Sequence, residues 1–209
     1  MDEDRLRWIY AATSAEELRE RYDEWAATYD TDLVEMQWLA PFVGARQCAR
    51  FADVGDRILD AGCGTGQVGV ALRELGFNNV VGFDFSPAML ERAGSTGAYA
   101  ELRQGSLLDE LPFAEHSFDA VVSVGVFTYG HVGPTALERL TRVVKAQGHV
   151  SITFRDDAVH ELGYVAEADR LAALGVWHLV DRTEPSALIA EDGGGADMRA
   201  WTWRVSPVA

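Results

Sequence analysis

Three glycines at alternate positions, Gly62, Gly64 and Gly66, follow directly on the apolar run Ile58-Leu-Asp60-Ala61. Such spacing turns a strand into a helix and removes the Cβ atoms that would hold a ligand away from the backbone. Asp60 stands beside the turn, where its carboxylate can order the loop or meet a ligand's ammonium, directly or through water. The same residues could form a tight turn and nothing more, but three glycines behind an apolar strand favour a binding loop. Gly64-Thr-Gly66-Gln-Val-Gly69 also satisfies the dinucleotide fingerprint G-x-G-x-x-G. An NAD(P)-binding oxidoreductase is therefore a rival reading of this stretch.

A second station is Val80-Val-Gly-Phe-Asp84-Phe85-Ser86-Pro87-Ala-Met89. A carboxylate at the end of a strand, such as Asp84, can accept both hydroxyls of a ribose. Phe85 offers a face to an adenine ring, and Met89 could pack on the base one helical turn later. For Phe85 and Met89, plain core packing explains the residue type nearly as well. A ribose-binding acid is common to both cofactor classes, so the discriminators are Asp60 ahead of the loop and what lies behind it.

His131, in Tyr129-Gly-His131-Val-Gly-Pro134, is the candidate general base, since a histidine titrating near neutrality suits proton removal from a phenol, carboxylic acid or amine. Tyr129 could orient an acceptor, and Arg155 could pair with an acceptor carboxylate unless Asp156 and Asp157 occupy it. His131 reads equally as a polar loop residue. His116, His149, His160 and His178 join no constellation, no Ser-His-Asp arrangement appears, and Asp156-Asp157 alone is weak support for a metal. No metal is expected.

These residues need elements to hold them. Ser14, with Glu17 three residues on, opens a helix carrying Leu18, Tyr22, Trp25 and Tyr29 on one stripe, and a second helix is expected from about Pro41 to Phe51. Strands are expected at Arg57–Asp60, Val80–Asp84, Tyr99–Gln104, Phe118–Val124 and His149–Phe154. Two more are expected at Val176–Asp181 and Trp201–Val205, the last after the glycine turn Gly193-Gly-Gly195. Helices are expected at Gln67–Leu75, from Pro87 through Arg92, and at Thr135–Val144. Alternation of this kind makes an open, mostly parallel sheet with helices on both faces, and ligands bind such sheets at the carboxyl ends of the strands. Every station above falls there.

Composition narrows the partners. Acidic residues outnumber basic ones 33 to 18, a net charge of −15, which argues against nucleic acid and anionic membranes. A small-molecule partner fits. The acidic start Met1-Asp-Glu-Asp-Arg5 and the two cysteines, Cys48 and Cys63, point to a cytoplasmic protein without a disulfide framework.

The order Asp60-Ala-Gly-Cys-Gly-Thr-Gly66, Val80–Leu90, Leu111-Pro-Phe to Phe118-Asp-Ala and Leu137 to Phe154 resembles a class I methyltransferase dependent on S-adenosylmethionine (SAM). Tyr22-Asp-Glu-Trp25-Ala-Ala-Thr-Tyr29 and Gly130-His-Val-Gly-Pro134 further resemble the small methyltransferase-like proteins named for the Williams–Beuren region. The resemblance implies an α/β, Rossmann-like, mostly parallel seven-stranded sheet with helices on both faces and an N-terminal helical lid. It implies a single domain over 1–209, with 1–52 as lid and 53–209 as core. Gly62, Gly64 and Gly66 would line the methionine side of the cofactor and Asp84 its ribose. Ser86 and Val124, at strand ends, are counted with the binding residues. Tyr22 and Tyr29 would reach the methionine carboxylate or the sulfonium from the lid. Ser106 stands where many relatives place an aspartate, so its hydroxyl or the Leu107 backbone would serve the adenine amine. The expected activity is methyl transfer to an O, N or C nucleophile of a small molecule by a monomer or homodimer. The alternatives are the oxidoreductase above and a non-catalytic SAM-binding protein.

Overall fold

In a computed structural model, residues 3–35, 37–187 and 197–207 are described. The chain opens with helices α1 (Glu3–Tyr10), α2 (Ala15–Trp25), α3 (Tyr29–Glu35) and α4 (Ala40–Ala49). Strand β1 (Ile58–Ala61), α5 (Gln67–Glu74), β2 (Val80–Asp84), α6 (Pro87–Ser95), β3 (Glu101–Gln104) and β4 (Phe118–Phe127) follow. Next come α7 (Ala136–Val143), β5 (Val144–Arg155), α8 (Ala158–Glu161), α9 (Tyr164–Ala173), β6 (Trp177–Arg182), β7 (Ser186–Ala187) and β8 (Asp197–Val205).

The strands join in the order β3-β2-β1-β4-β5-β8-β6, with the two-residue β7 added on β8. Pairings from β3 through β5 are parallel, and β8 alone runs antiparallel, to β5 and to β6. The expected seven main strands are present. Side chains alternate strictly across the sheet, as a period of two requires. Leu59, Val81 and Val121 pack with Leu137, Leu140 and Leu171 on one face. Ile58, Val80, Ala120 and Val122 pack with Ala45, Cys48, Val68 and Leu72 on the other. Each fully buried Val, Leu or Ile among them stabilises the fold by about 1.5–3 kcal/mol. Two apolar faces explain why β4 is apolar almost throughout.

The N-terminal stripe differs from expectation. Ser14 caps α2 by accepting from the Glu17 amide at 3.1 Å, while the Glu17 carboxylate reaches the Thr13 amide at 2.8 Å instead of Ser14. Leu18, Tyr22 and Trp25 lie on α2, but Tyr29 begins α3. Asp32 causes the break: its Oδ2 accepts from the Trp25 indole at 2.6 Å and the Thr28 hydroxyl at 3.0 Å. The chain turns at 26–28 where a single helix was expected. The expected turn at Gly193-Gly-Gly195 lies outside the described residues. Among the described residues no helix is long and apolar enough to cross a membrane.

Candidate active site

Neighbouring strands β1 and β4 release their chains at the same edge of the sheet. The loop after β1 is tied to β2 by the Gly62 and Cys63 amides, which donate to the Phe83 carbonyl at 2.7 and 3.1 Å. Its three glycines do different work. A Cβ on Gly62 would meet Val126 Cγ2 at 2.2 Å, so β4 packs directly on that residue. Gly64 (φ 52°) would meet nothing within 4 Å, leaving its backbone bare to a cavity. Gly66 (φ 99°) lies against the Tyr99 ring and the Ala93 backbone and lines neither cavity, a correction to the expected cofactor contact. It lets α6 approach.

Two adjoining cavities open at this edge, and they share part of their lining. Both are walled by Tyr22, Tyr29, Gly62, Gly64, Val124 and His131. Val124 reaches both because β4 is bulged there: Gly125 (φ 72°) breaks the register, and its amide donates to Thr153 Oγ1 at 3.1 Å. Asp84, Phe85, Met89, Ser106 and Leu107 line the smaller cavity. Asp84 Oδ2 accepts from the Gly64 amide at 2.8 Å and Oδ1 from the Ser86 amide at 2.9 Å. A carboxylate accepts about four hydrogen bonds, so lone pairs remain for a ligand. Burial pushes the Asp84 carboxyl up to about 6 against those amide bonds. Ser106 Oγ accepts from the Leu108 amide at 3.1 Å, which leaves its proton to donate.

Asp60 does not meet the cavities. It is wholly buried beneath the loop, and its Oδ2 accepts from the Tyr99 hydroxyl at 2.6 Å while Oδ1 has no partner among the described residues. The expected ligand contact is thus replaced by a loop anchor. Burial, reinforced by nearby Asp84 and opposed by the Tyr99 hydrogen bond, raises its carboxyl to about 7. The folded value lies above the unfolded one. The native state therefore holds more protons between the two, and stability is lost as pH rises through 7. Asp60→Asn keeps an acceptor for Tyr99 and cannot ionise. Between pH 5 and 8 the melting temperature of ligand-free D60N should fall less than that of the parent; parallel curves would contradict the shift. His131, lowered, is common to both proteins and cancels in the difference, and Asp84, raised, cancels except for the repulsion it shares with Asp60.

Ser86 also lies off the cavities. Its Oγ caps α6 by accepting from the Met89 amide at 3.0 Å and donates to Asp23 Oδ1 at 2.5 Å, pinning α2 to α6. Asp30 on α3 likewise accepts from Thr65 Oγ1 at 2.6 Å and Gln67 Nε2 at 2.9 Å. Nothing in the sequence singled out these two lid-to-core acids. The Tyr29 hydroxyl has no partner among the described residues and borders both cavities, and burial raises its pKa.

His131 is held by two bonds. One ring nitrogen, Nδ1, lies 2.7 Å from the Tyr129 carbonyl, which can only accept, so Nδ1 carries the proton. Nε2 then accepts from the Tyr22 hydroxyl at 2.6 Å. Burial lowers the His131 pKa and keeps the imidazole neutral. Tyr129 contributes that carbonyl, not the expected acceptor contact: its hydroxyl donates to Glu161 at 2.8 Å and its ring lines neither cavity. Asp157 pairs with Arg155, and Asp156 with Arg199 at 3.0 Å. Among the described residues no three metal-ligating side chains gather.

A family model described as a methyltransferase domain matches residues 59–152, from the glycine loop through β5. Human methyltransferase-like protein 27 is 38% identical over 164 residues, covering 75% of this chain and 66% of that relative. The chain thus spans about two thirds of that relative's length. A chain from the complex between the Haloferax volcanii Trm112 methyltransferase activator and a methyltransferase superposes with TM-score 0.67 at 22% identity, covering 90% of this chain and 98% of that one. A TehB-like SAM-dependent methyltransferase from Corynebacterium glutamicum superposes with TM-score 0.62 at 22% identity, covering 88% and 98%. By family match, relatives and fold together, the chain belongs to the class I SAM-dependent methyltransferases.

Proposed function

We propose that this chain transfers a methyl group from SAM to an O, N or C nucleophile of a small molecule, releasing S-adenosylhomocysteine. The observation that carries this is the pair of cavities sharing one wall at Gly62, Gly64, Val124 and His131. One cavity suits a nucleoside and the other a second reactant. The residues fit the cofactor: the Gly64 backbone is bare, Asp84 keeps lone pairs for hydroxyls, and Tyr29 offers an unengaged hydroxyl. Asp84 would hold ribose, Phe85, Met89, Ser106 and Leu107 the base, and Gly62, Gly64, Tyr22 and Tyr29 the methionine end. When bound, SAM supplies an electrophilic methyl on a positively charged sulfonium, a charge that aromatic faces attract.

The chain's own part is mostly to position the reactants and exclude water. Helices α1 to α3 act as a lid, held down by Asp23, Asp30 and the Tyr22–His131 bond, while α4, the last helix of segment 1–52, packs into the core 53–209. Where the acceptor must lose a proton, His131 Nε2 takes it, with Nδ1 fixed by the Tyr129 carbonyl. Tyr22 vacates Nε2 for the acceptor at that moment. We place the protein in the cytoplasm, as a monomer or homodimer of the Williams–Beuren-region kind.

The oxidoreductase reading loses its second glycine, the one that would admit a pyrophosphate, because the Tyr99 ring and Ala93 occupy the space at Gly66. Calorimetry with SAM, S-adenosylhomocysteine and NADH tests the cofactor. Micromolar S-adenosylhomocysteine binding is expected, and NADH binding in its place would overturn the proposal. Label transfer from methyl-labelled SAM into a metabolite mixture separates an enzyme from a non-catalytic binder.

A further inference from the structure

The larger cavity carries an electrostatic signature that the whole chain does not share. Of the described residues lining it, only Arg155 bears a formal charge, in a protein with 33 acids against 18 bases. The cation is therefore no by-product of a basic surface. Its Nε and Nη2 donate to the two oxygens of Asp157 at 3.0 and 2.7 Å, which fixes the guanidinium plane and leaves Nη1 outside that pair. The Tyr129 ring lies 5.8 Å from its Cζ, and Tyr10 stands on the same cavity wall. Nearby, Thr128 lines the same cavity, and its hydroxyl is buried with no partner among the described residues. Much of the remaining wall is aromatic, including Trp25, Trp38 and Phe127.

An aromatic wall alone would serve a cation as well as a planar neutral ring. The guanidinium decides the sign, since no carboxylate stands among the described lining residues to offset its repulsion of a second cation, and Asp157, already engaged with it, does not line the cavity. We propose that the methyl acceptor is a planar aromatic molecule bearing a carboxylate, which Arg155 holds while the ring lies against the aromatic wall. Thr128 supplies a further hydrogen bond to that acceptor. Resting on the methyltransferase reading above, this assigns the chemistry of its second reactant.

Protein loaded with S-adenosylhomocysteine is titrated in a calorimeter with 1-naphthoate, 1-naphthamide and 1-naphthylmethylamine, which share a ring and differ in charge. Naphthoate should bind at least about tenfold tighter than the amide, as a charge-assisted bond predicts, and the amine weakest. Arg155→Gln should bring naphthoate level with the amide and leave S-adenosylhomocysteine affinity unchanged. Arg155→Lys, which keeps the charge, should retain most of the preference and shows that loss in R155Q is not misfolding. Equal or better binding of the amide or amine overturns the proposal, as does failure of all three probes to bind. So does an equal loss of S-adenosylhomocysteine affinity in R155Q, which would give Arg155 to the cofactor's own carboxylate. If the parent protein does not bind S-adenosylhomocysteine, the methyltransferase reading falls, and the anion preference is then scored on unloaded protein.

Discussion

Asp84→Ala should weaken S-adenosylhomocysteine binding by about 100-fold, roughly 2.7 kcal/mol, the scale of charged hydrogen bonds to two buried hydroxyls. Part of that loss is indirect. The Gly64 and Ser86 amides would lose their acceptor, and the bare stretch of backbone at Gly64 would loosen. A pH series separates the two contributions. The Asp84 carboxyl is raised to about 6 by burial, and hydroxyl donors favour its ionised form. Binding should therefore strengthen as pH rises through 6 and release a proton below it. Asp84→Ala should abolish that dependence, whereas a purely structural role would lower affinity and leave the slope in place. Affinity within about threefold of the parent, less than 1 kcal/mol, would remove Asp84 from the binding site.

Position in the sheet explains which site residues could be read from sequence. Asp84 closes β2 with Phe85 behind it, Ser106 and Leu107 follow β3, Val124 lies at the bulge near the end of β4 and His131 follows that strand, and the structure brings them to the same two cavities. Asp60 sits on a strand, not after it. Ile58 and Asp60 share a face, and that face lies beneath α4 and α5. Strand parity alone could have placed the Asp60 carboxylate under the helices. Ser86 and Gly66 were out of reach, because their work is done for distant partners, Asp23 and Tyr99, at separations no local pattern encodes. Tyr129 misleads for a related reason: its backbone, which carries no side-chain signal, is what touches His131.

The fold followed the same division. Strands between two apolar faces were plain from their runs of apolar residues, as in β1, β2 and β4. Tertiary events moved their ends. Gly125 bulges β4 and carries it to Phe127, three residues past its expected end, while β5 begins at Val144, directly after α7. Helix α9 received no assignment from sequence, although it buries Tyr164, Ala168 and Leu171 at four- and three-residue steps. Its start, Gly163 in a left-handed conformation with no side-chain cap, gives no recognisable signal. The separation of Tyr29 from the α2 stripe likewise depended on one carboxylate, Asp32, choosing an indole.

Gly69→Ala sets two rules against each other. Gly69 lies inside α5, where alanine is the better helix former by about 1 kcal/mol. Propensity thus predicts a more stable protein. Yet a Cβ there would stand 2.3 Å from Tyr99 Cζ and 2.6 Å from its oxygen. The ring also lies close over two further glycines, Gly66 and Gly82, where a Cβ would stand 3.0 Å from it. Moving it would also break its hydroxyl's bonds to Asp60 at 2.6 Å and from the Gly69 amide at 3.1 Å. Asp60 Oδ1 is already unpartnered, so its carboxyl would be left buried with no hydrogen bond at all. Overpacking and an orphaned buried group together should cost about 2–4 kcal/mol, measured by denaturant unfolding. The decisive comparison is a cycle with Tyr99→Ala. Once the ring is gone, Gly69→Ala should turn neutral or stabilising by up to about 1 kcal/mol, because only propensity remains. If Gly69 served the close approach of a ligand instead, G69A would impair ligand binding and spare stability in both backgrounds. A reversal of sign between the two backgrounds is what the Tyr99 slot requires.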